Sequence, residues 1–503
     1  MAWMARLSER GRQRHGERVA VIDADRRVTY AELDRRTDGL AAAFHAMGVG
    51  RGHRVAVLSH NRLEVLETYF ALGKVGAIAV PVHYGAVPDE VAAIVAGCET
   101  SAIAGEEELL RRLSRPAGCS VLAFESGRYR DAVASGDRPP PLDIPDDELM
   151  FILHTSATTG RPKGVCVDHR SLRSVATGYL ADVDPGGDTV FLHCGPLSHG
   201  AMVLPLVYMA AGATIVLMRM FSPPGCLATI RRAEATHLFL VPEMLRFVLQ
   251  AAKRSSASLP SLREVVYAAA PMPRPLLLEA HATLGCGFRQ VYGITEGGGP
   301  VATLAPSEHD YTSAVPRGAG ASVGRAIMGT VVESRDDGEL WVCGPGRMRG
   351  YWNDSAATEE AVRDGWVRTG DLGTVDEHGY VHLAGRVKEV IIRGGQKIFP
   401  AEVERVLLEH PGVRDACVVG VPSDEWGELP FAYVVAPGEA PGEAAEFVAS
   451  LKGLVRERLA LYKRPVGFKV VRELPRNPAG KVTRRHLRTE AACHAAGLAG
   501  PRS

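Results

Sequence analysis

The sequence places the polar stretch Thr155-Ser156-Ala157-Thr158-Thr159-Gly160-Arg161-Pro162-Lys163-Gly164 just after an apolar run, residues 149–153. Apolar runs of this length, bounded by turn residues, are typical of buried β-strands. The hydroxyl and backbone N–H groups of the loop that follows can surround anionic oxygens, and Lys163 adds a mobile positive charge. The loop lacks the spacing of a Walker A motif. Its composition alone also fits an ordinary solvated turn, so the rest of the chain must decide.

Short apolar runs alternate with helical patterns through the first part of the chain, at residues 54–58, 77–82, 189–192, 213–218, 238–241 and 265–268. This alternation predicts βαβ units and buried sheets. The uncharged segment 201–218 approaches the length of a membrane helix. Pro205 and Gly212 interrupt it, so we expect a buried helix, a turn and a strand. The proline-rich stretch 138–148 is expected to be a stiff connector between two subdomains.

The pattern changes after about residue 329, where short strands with turns between them are expected at residues 338–342, 366–368 and 379–383. A strand-like run at 389–392 follows, and Pro400 is well placed to begin a helix that reaches Glu409. The sequence therefore predicts an α/β fold in two domains. Residues 1–387 would form a large N-terminal domain of doubly wound βαβ-type subdomains plus a small β-rich subdomain. Residues 388–503 would form a small mobile α+β C-terminal domain.

Composition narrows the class of protein. A chain of 503 residues exceeds what one hydrophobic core usually supports. Its 58 basic residues balance 58 acidic ones, which removes the basic field expected of a nucleic-acid binder. The nine cysteines are scattered without a CxxC pair, which argues against a disulfide framework or a zinc site. The N-terminus does not read as a secretory signal. We therefore expect a cytoplasmic enzyme without a membrane span.

Further motifs follow the loop pattern in order along nearly the whole chain. They are Tyr30-Ala31-Glu32-Leu33, residues 74–81, Pro196-Leu197-Ser198-His199-Gly200, Tyr292-Gly293-Ile294-Thr295-Glu296, Gly338-Glu339-Leu340, Gly350-Tyr351-Trp352-Asn353, Thr369-Gly370-Asp371-Leu372, Gly385-Arg386 and residues 475–481. Together with the loop they resemble the signature motifs of the adenylate-forming superfamily. That superfamily includes acyl- and aryl-CoA ligases, luciferases and nonribosomal peptide synthetase adenylation domains.

The resemblance implies that ATP and Mg²⁺ are used to transfer AMP onto a small carboxylic acid. The site must neutralise charge on the phosphoryl oxygens, so positioning and electrostatics would carry the catalysis. Tyr292 would lie against the adenine, Thr295 would contact phosphate, and Asp371 would bind the ribose hydroxyls with support from Arg386. The residues implied to bind ATP are Thr155, Ser156, Thr158, Thr159, Gly160, Lys163, Ala269, Ala270, Tyr292, Gly293, Thr295, Asp371 and Arg386.

Three side chains are implied to take part in the chemistry. Lys481 would reach both the carboxylate and the α-phosphate and stabilise the transition state. Glu296 would hold the Mg²⁺ that bridges the phosphates, because a hard cation prefers oxygen ligands. His199 would border the acyl pocket as a gate or an orienting donor. Outside these motifs, a single lysine or histidine would be read as a surface or structural residue.

The resemblance says less about which acid is activated and which acceptor receives it. The implied pocket wall is apolar and made mostly of small residues, which suits an aryl, alicyclic or medium acyl carboxylate; it comprises His199, Gly200, Met202, Ala268, Gly293 and Gly297. No aspartate follows His199 to pair with an ammonium group, which disfavours an α-amino acid. Lys388 occupies the implied hinge position. The small Gly394 and Gly395 would admit a pantetheine arm, although a β-bulge or tight turn explains them equally.

Some positions depart from the family pattern. Ala157 stands where the loop usually has glycine, Ser198 replaces a common aromatic residue, and the glycine-rich run 297–300 is unusual. That run allows either a wider pocket or a mobile lid. The leading functional hypothesis is an acid–CoA ligase, in which the CoA thiolate attacks the acyl adenylate.

Three alternatives remain open at this point. In the first, the enzyme still forms an adenylate, but the acceptor is a carrier-protein phosphopantetheine or an amine in place of CoA. The same alternative includes nitrite as the oxyanion that is activated. In the second alternative, the protein is not an enzyme and only senses a nucleotide or an acyl adenylate. In the third alternative, the protein is a luciferase-type oxidoreductase, although the sequence supplies no oxygen-handling cofactor site.

Overall fold

The computed structural model describes residues 2–113, 118–155, 163–313, 318–436, 444–476 and 482–498. Helices and strands are numbered in chain order. The helices are α1 (Trp3–His15), α2 (Tyr30–Ala46), α3 (Leu63–Val75), α4 (Pro88–Gly97), α5 (Glu107–Leu110), α6 (Gly127–Ser135), α7 (His169–Asp182), α8 (Val203–Ala210), α9 (Pro223–Ala233), α10 (Pro242–Ser255), α11 (Arg274–Leu284), α12 (Ser355–Ala361), α13 (Pro400–Leu408), α14 (Ala444–Arg458) and α15 (Arg484–Leu498).

The strands in the first half of the chain are β1 (Val19–Asp23), β2 (Arg26–Thr29), β3 (Arg54–Ser59), β4 (Ile78–His83), β5 (Ala102–Gly105), β6 (Ser120–Ala123), β7 (Leu149–Thr155), β8 (Lys163–Asp168), β9 (Val190–His193), β10 (Thr214–Leu217) and β11 (His237–Leu240). Those in the second half are β12 (Glu264–Ala268), β13 (Gly287–Ile294), β14 (Gly299–Leu304), β15 (Arg325–Ala326), β16 (Val331–Ser334), β17 (Glu339–Cys343), β18 (Gly350–Tyr351), β19 (Val362–Arg363), β20 (Trp366–Val375), β21 (Val381–Arg386), β22 (Ile391–Arg393), β23 (Gln396–Ile398), β24 (Asp415–Ser423), β25 (Gly427–Val435) and β26 (Gly467–Val471).

A seven-stranded sheet has the order β18-β8-β7-β4-β3-β5-β6, with parallel pairing from β7 to β6. Alternate residues of β3 enter two different cores: Val55 and Val57 join the large central cluster, whereas Ala56 and Leu58 pack toward α4. Both faces of the sheet are therefore covered, which explains why its strands read as continuous apolar runs. The predicted strands at residues 54–58 and 77–82 are confirmed as β3 and β4.

A nine-stranded sheet has the order β15-β14-β13-β12-β11-β9-β10-β1-β2, and β10, β9, β11, β12 and β13 are parallel. These strands confirm the four remaining predicted runs. The uncharged segment 201–218 contains α8, a turn at Gly212 with a φ of 82°, and β10. The predicted helix, turn and strand are thus confirmed. No helix in the described parts of the chain is long and apolar enough to cross a membrane.

The core of these two sheets is one large apolar cluster. It combines residues of β3, β4, β9 and β10 with residues of α1, α2, α3, α7 and α8. The helices α1, α2 and α3 contact one another, and α7 contacts α8. A layer of helices therefore lies between the two large sheets, as the predicted α/β class requires.

The proline-rich stretch has a different role from the one predicted. The chain has no helix or strand between α6 and β7, which agrees with a connector. However, β6 and β7 belong to the same seven-stranded sheet. The stretch therefore returns the chain from the edge strand β6 to β7 and does not join two subdomains. Sequence alone identified the stiffness of proline but not the positions of the strands at each end.

The last third of the chain forms two smaller sheets. The first has the order β16-β17-β20-β19, with β21 paired to β20, and the second has the order β23-β22-β25-β24, with β26 paired to β25. The helix predicted to start at Pro400 is confirmed as α13. The eight cysteines whose side chains are described are all free.

By contacts the chain forms two compact units. The first consists of Met1–Ala269, Arg274–Val332 and Val342–Val367, and the second of Ala270–Pro273, Glu333–Trp341 and Arg368–Ser503. A large and a small α/β unit agree with the predicted fold class. The boundary between residues 387 and 388, and the mobility of the C-terminal part, stay predictions.

Candidate active site

The two ends of the predicted phosphate loop lie opposite each other in an antiparallel pair. Thr155 ends β7 and is the register partner of Lys163, which begins β8. Because β7 runs parallel to β4, these ends lie at the carboxyl edge of the sheet, where open α/β sheets bind ligands. Loop positions 156–162, which include Ser156, Ala157, Thr158, Thr159 and Gly160, lie outside the described residues. Their contacts with phosphate stay a prediction.

The residues beside these loop ends are closely packed. His154 is the partner of Gly164 in the β7–β8 pair. A Cβ at Gly164 would lie 2.7 Å from Ile152 Cγ2 and 3.3 Å from Trp352 Cβ, which explains why this position is glycine. Burial lowers the pKa of His154 to about 4, so its imidazole is neutral near pH 7. Lys163 is therefore the charged side chain at these loop ends, next to a neutral His154.

Glu296 lies in a short 3₁₀ turn, Thr295–Gly297, that directly follows β13. Its Oε1 accepts a hydrogen bond from the Tyr351 hydroxyl at 2.9 Å, and its backbone oxygen accepts one from the Met348 N–H at 2.8 Å. Among the residues the structure describes, no three His, Cys, Asp or Glu side chains converge into a metal-binding group. One carboxylate combined with substrate phosphates and water is the arrangement that Mg²⁺ commonly uses. The single carboxylate of Glu296 is therefore compatible with the predicted Mg²⁺ site.

The glycine-rich run after Glu296 forms a buried turn. Gly298 has a φ of 86°, and a Cβ on it would overlap the backbone oxygen of Gly346. Gly299 has a φ of 127° and begins β14. Gly297, Gly298 and Gly299 are all buried. Backbone geometry therefore favours glycine at Gly298 and Gly299, and the wider pocket and the mobile lid both stay predictions.

Two motifs that are distant in sequence meet near this turn. A Cβ on Gly200 would lie 3.6 Å from Thr295 Oγ1, so the segment after His199 borders the segment that carries Glu296. Gly293 and Tyr292 lie on β13, with a register shift between them. A Cβ on Gly293 would overlap the backbone oxygen of Gly299, and Tyr292 is buried. The structure therefore brings predicted acyl-pocket residues and predicted ATP-binding residues together.

His199 lies beside a second histidine that sequence reasoning missed. Its ring centroid is 5.1 Å from that of His83, the last residue of β4. His83 Nδ1 accepts a hydrogen bond from the Gly85 N–H at 3.0 Å. Burial, followed by the neighbouring His199 and His60, lowers the pKa of His83 to about 4. His83 is therefore a neutral ring beside His199, and its place at the carboxyl end of a parallel strand was the available sequence signal.

The other predicted acyl-pocket residues in this unit are mostly part of the core. Met202 is 1% exposed and belongs to the central cluster, and Ala268 ends β12 packed against that cluster. Ala269 has a φ of 74°, which a residue with a Cβ adopts at a cost of about 1–3 kcal/mol. Such strain is concentrated at functional sites. Ala270 begins the short piece assigned to the second compact unit.

In the second unit, Asp371 and Arg386 are register partners on β20 and β21. Asp371 Oδ1 lies 2.7 Å from Arg386 Nε, and the Asp371 N–H donates to Thr369 Oγ1 at 2.9 Å. Asp371 is 5% exposed, whereas about half of the Arg386 side chain is exposed. The structure thus brings these two predicted ATP-binding residues together as an ion pair.

The predicted hinge and thiol residues also lie in the second unit. Lys388 is in the 3₁₀ turn Val387–Glu389. Gly394 and Gly395, with φ values of 54° and 80°, form the turn between β22 and β23. A Cβ on Gly394 would lie 2.9 Å from Trp426 Cε3, so a tight turn accounts for this glycine whether or not a thiol passes beside it.

The predicted catalytic Lys481 lies outside the described residues. Arg476 and Val482, on either side of the segment that contains it, form an antiparallel bridge. The Thr483 N–H donates to the Pro475 oxygen at 2.7 Å. The described residues before and after this segment are therefore hydrogen-bonded neighbours.

Comparison with known proteins gives consistent matches along the chain. Residues 8–352 match the AMP-binding enzyme family, and residues 402–481 match the AMP-binding enzyme C-terminal domain. A feruloyl-CoA synthase from an Amycolatopsis species is 35% identical over 93% of this chain and 95% of its own length. The fatty acid–[acyl-carrier-protein] ligase ScoC from Streptomyces coeruleorubidus is 33% identical over 93% of this chain and 92% of its own length.

A solved structure gives the same result. The amide bond synthetase McbA from Marinactinospora thermotolerans superposes with a TM-score of 0.85 at 32% identity, covering 97% of this chain and 99% of that one. The predicted adenylate-forming fold is thereby confirmed. By sequence match and by fold, the chain belongs to the AMP-binding enzyme family, the adenylate-forming superfamily.

Proposed function

We propose that this enzyme activates a small carboxylic acid with ATP and then forms an acyl-CoA. In the first step an oxygen of the acid attacks the α-phosphorus of ATP, the bond to the β-phosphate oxygen breaks, and acyl-AMP and pyrophosphate are formed. In the second step the CoA thiolate attacks the acyl carbon, the bond to AMP breaks, and acyl-CoA and AMP are released. The family match and the feruloyl-CoA synthase relative support this course.

One observation carries the proposal. The segment that begins at His199, predicted to border the acid, lies against Thr295, next to the predicted metal ligand Glu296. Adenylation requires the acid and the metal-bound phosphates to be neighbours, because the reacting atoms must be held within about 3–3.5 Å. A protein that only bound a nucleotide would have no need for this juxtaposition.

Each residue of the first unit would contribute by binding or orientation. Mg²⁺, when bound at Glu296, would screen the negative charge of the phosphates. Thr155 and Lys163 would hold phosphate oxygens at the two ends of the loop. His199 Nδ1 lies 2.9 Å from the backbone oxygen of Ser198. We propose that His199 acts on the acid as a gate or an orienting donor, because a carboxylate can only accept a hydrogen bond.

The remaining roles belong to the second unit. We propose a domain boundary at residues 387 and 388, with Lys388 as the hinge at which the chain rotates between the two half-reactions. Asp371 would bind the ribose hydroxyls, held in place by Arg386. Lys481 would neutralise the α-phosphate, and the turn at Gly394 and Gly395 would pass the thiol.

The acid is proposed to be an aryl, alicyclic or medium acyl carboxylate, because the pocket residues are small and apolar. The feruloyl-CoA synthase relative is named for an acid of the first type. A second candidate keeps adenylation and changes the acceptor to an amine or a carrier-protein thiol, since McbA is named as an amide bond synthetase and ScoC as a carrier-protein ligase. Eight free cysteines agree with a reducing, cytoplasmic environment.

Pyrophosphate exchange into ATP across a panel of acids tests the first step, whichever acceptor is used. The acids that support exchange are then incubated separately with CoA, a phosphopantetheinylated carrier protein and an amine, and the products are identified by mass spectrometry. Acyl-CoA as the main product supports the proposal. Amide or carrier thioester as the main product replaces it with the second candidate, and absence of exchange with every acid contradicts adenylation.

A further inference from the structure

Tyr351 contacts two residues that the proposed function assigns to phosphate and metal binding. Its hydroxyl donates to Glu296 Oε1 at 2.9 Å. The Nζ of Lys163 lies 4.8 Å from the centroid of its ring, within the range of a cation–π interaction. One side chain therefore connects the end of the phosphate loop with the predicted metal carboxylate.

The backbone around Tyr351 is fixed by several independent contacts. Tyr351 pairs with Val165 in the antiparallel ladder between β18 and β8. Its N–H donates to Thr358 Oγ1 at 2.8 Å, and the Trp352 N–H donates to the Gly164 oxygen at 2.7 Å. The backbone of Tyr351 is thus held by the same strand that begins at Lys163.

The direction of the hydrogen bond is also fixed. The phenol supplies the proton of this hydrogen bond, because a carboxylate can only accept. A protonated phenol beside a carboxylate donates to it. Oε1 of Glu296 is therefore occupied, whereas Oε2 receives no hydrogen bond from the described residues. The carboxylate is held with one oxygen for tyrosine and one for another ligand.

We propose that Tyr351 is a positioning residue for the metal: its hydroxyl fixes the Glu296 carboxylate so that Oε2 binds Mg²⁺, and its ring holds Lys163 beside the phosphates. This inference rests on the proposed function. It assigns a role to the tyrosine of the motif Gly350-Tyr351-Trp352-Asn353, for which the sequence suggested none. Tyr351 would act through Glu296 and Lys163, which makes it a positioning residue and not a catalytic one.

The test separates the hydroxyl from the ring. Tyr351→Phe removes the hydrogen bond and keeps the ring, whereas Tyr351→Leu removes both. Mn²⁺ affinity is measured by electron paramagnetic resonance on protein saturated with a non-hydrolysable ATP analogue, without acid, so that no turnover is needed. We expect Tyr351→Phe to weaken Mn²⁺ binding about tenfold, the size expected for a hydrogen bond to a charged group. Metal-free binding of the analogue should be unchanged in Tyr351→Phe and weaker in Tyr351→Leu.

A matched control exists in the same unit. Tyr129 donates to Glu67 Oε2 at 2.6 Å in the buried core, and neither residue belongs to the candidate site. Tyr129→Phe deletes the same kind of tyrosine–glutamate hydrogen bond, and we expect it to leave Mn²⁺ affinity unchanged even if it lowers the melting temperature. A loss of Mn²⁺ affinity in this control equal to that in Tyr351→Phe would show a general effect of stability and overturn the inference.

A double-mutant cycle distinguishes positioning from an independent effect. If Tyr351 acts through Glu296, Tyr351→Phe should have no further effect on Mn²⁺ affinity in the Glu296→Gln background. Additive losses, or a Tyr351→Phe protein with wild-type Mn²⁺ affinity, would overturn the inference while leaving the proposed function intact. Failure of the wild-type enzyme to exchange pyrophosphate would instead contradict the proposed function, and the Mn²⁺ measurement would still report on Tyr351.

Discussion

Replacing His193 with phenylalanine should remove part of the acid sensitivity of the fold. His193 ends β9, near the middle of the nine-stranded sheet, and is fully buried. Its ring stacks on Phe239 and Phe191, with centroids 5.4 and 6.2 Å away. Neither ring nitrogen has a hydrogen-bond partner among the described residues. Burial therefore lowers the pKa of His193 from 6.5 to about 3.

The sign of the effect follows from proton uptake. Below pH 6.5 the unfolded chain takes up a proton at His193, whereas the folded chain does not until the pH approaches about 3. The free energy of unfolding therefore falls as the pH is lowered through this window. With these pKa values the loss from this single residue is about 0.2 kcal/mol at pH 7 and about 2 kcal/mol at pH 5.

Urea unfolding of the wild type and His193→Phe at pH 7 and pH 5 measures the effect. We expect the two proteins to differ by less than about 1.5 kcal/mol at pH 7, because one buried aromatic ring replaces another of similar shape. The drop between pH 7 and pH 5 should be smaller in the variant by about 2 kcal/mol. His378→Gln, at an exposed histidine, is the control and should keep the wild-type pH dependence. An equal drop in wild type and His193→Phe would refute the reasoning.

Three further predictions concern the catalytic steps. Lys481→Ala should lower the rate of acyl-AMP formation at least about a hundredfold, the size seen when a transition-state donor is lost. Arg485→Ala, at an exposed neighbour, is the control and should keep the wild-type rate. Retained adenylation in Lys481→Ala would contradict the assignment. Asp371→Asn should raise the KM for ATP about tenfold and abolish discrimination between ATP and its 2′- and 3′-deoxy forms; unchanged discrimination would contradict ribose binding. Lys388→Pro, which fixes φ at the hinge, should slow thioester formation far more than pyrophosphate exchange; an equal fall in both rates would argue against a hinge there.

The sequence predicted the strands of the two large sheets well, for a physical reason. Strands buried on both faces must be apolar along their whole length, so β3, β4 and β10 are visible as continuous runs. The same argument succeeded for the segment 201–218, because proline and glycine mark the ends of helices and strands locally. Local signals could not show which strands are neighbours, and the proline-rich connector was misassigned for that reason.

The sequence indicated which residue types form the candidate site, but it did not show which of them contact one another. Glycine positions such as Gly293 and Gly298 are fixed by the approach of another part of the backbone, which no local pattern contains. The run after Glu296 was therefore open to two interpretations, and the structure adds the backbone reason for Gly298. His83 was missed because it lies outside every motif, although it ends a strand at the edge where ligands bind.

The contacts of Tyr351 explain why the ordered motifs carried more information than the phosphate loop alone. The loop returns to β8 at Lys163, β8 pairs with β18, and β18 places Tyr351 on Glu296. Met348, just before β18, also donates from its backbone to the Glu296 oxygen. Three motifs that are far apart in sequence are thus parts of one hydrogen-bonded assembly. We therefore expect a change in any one of these segments to alter the hydrogen bonds of the others.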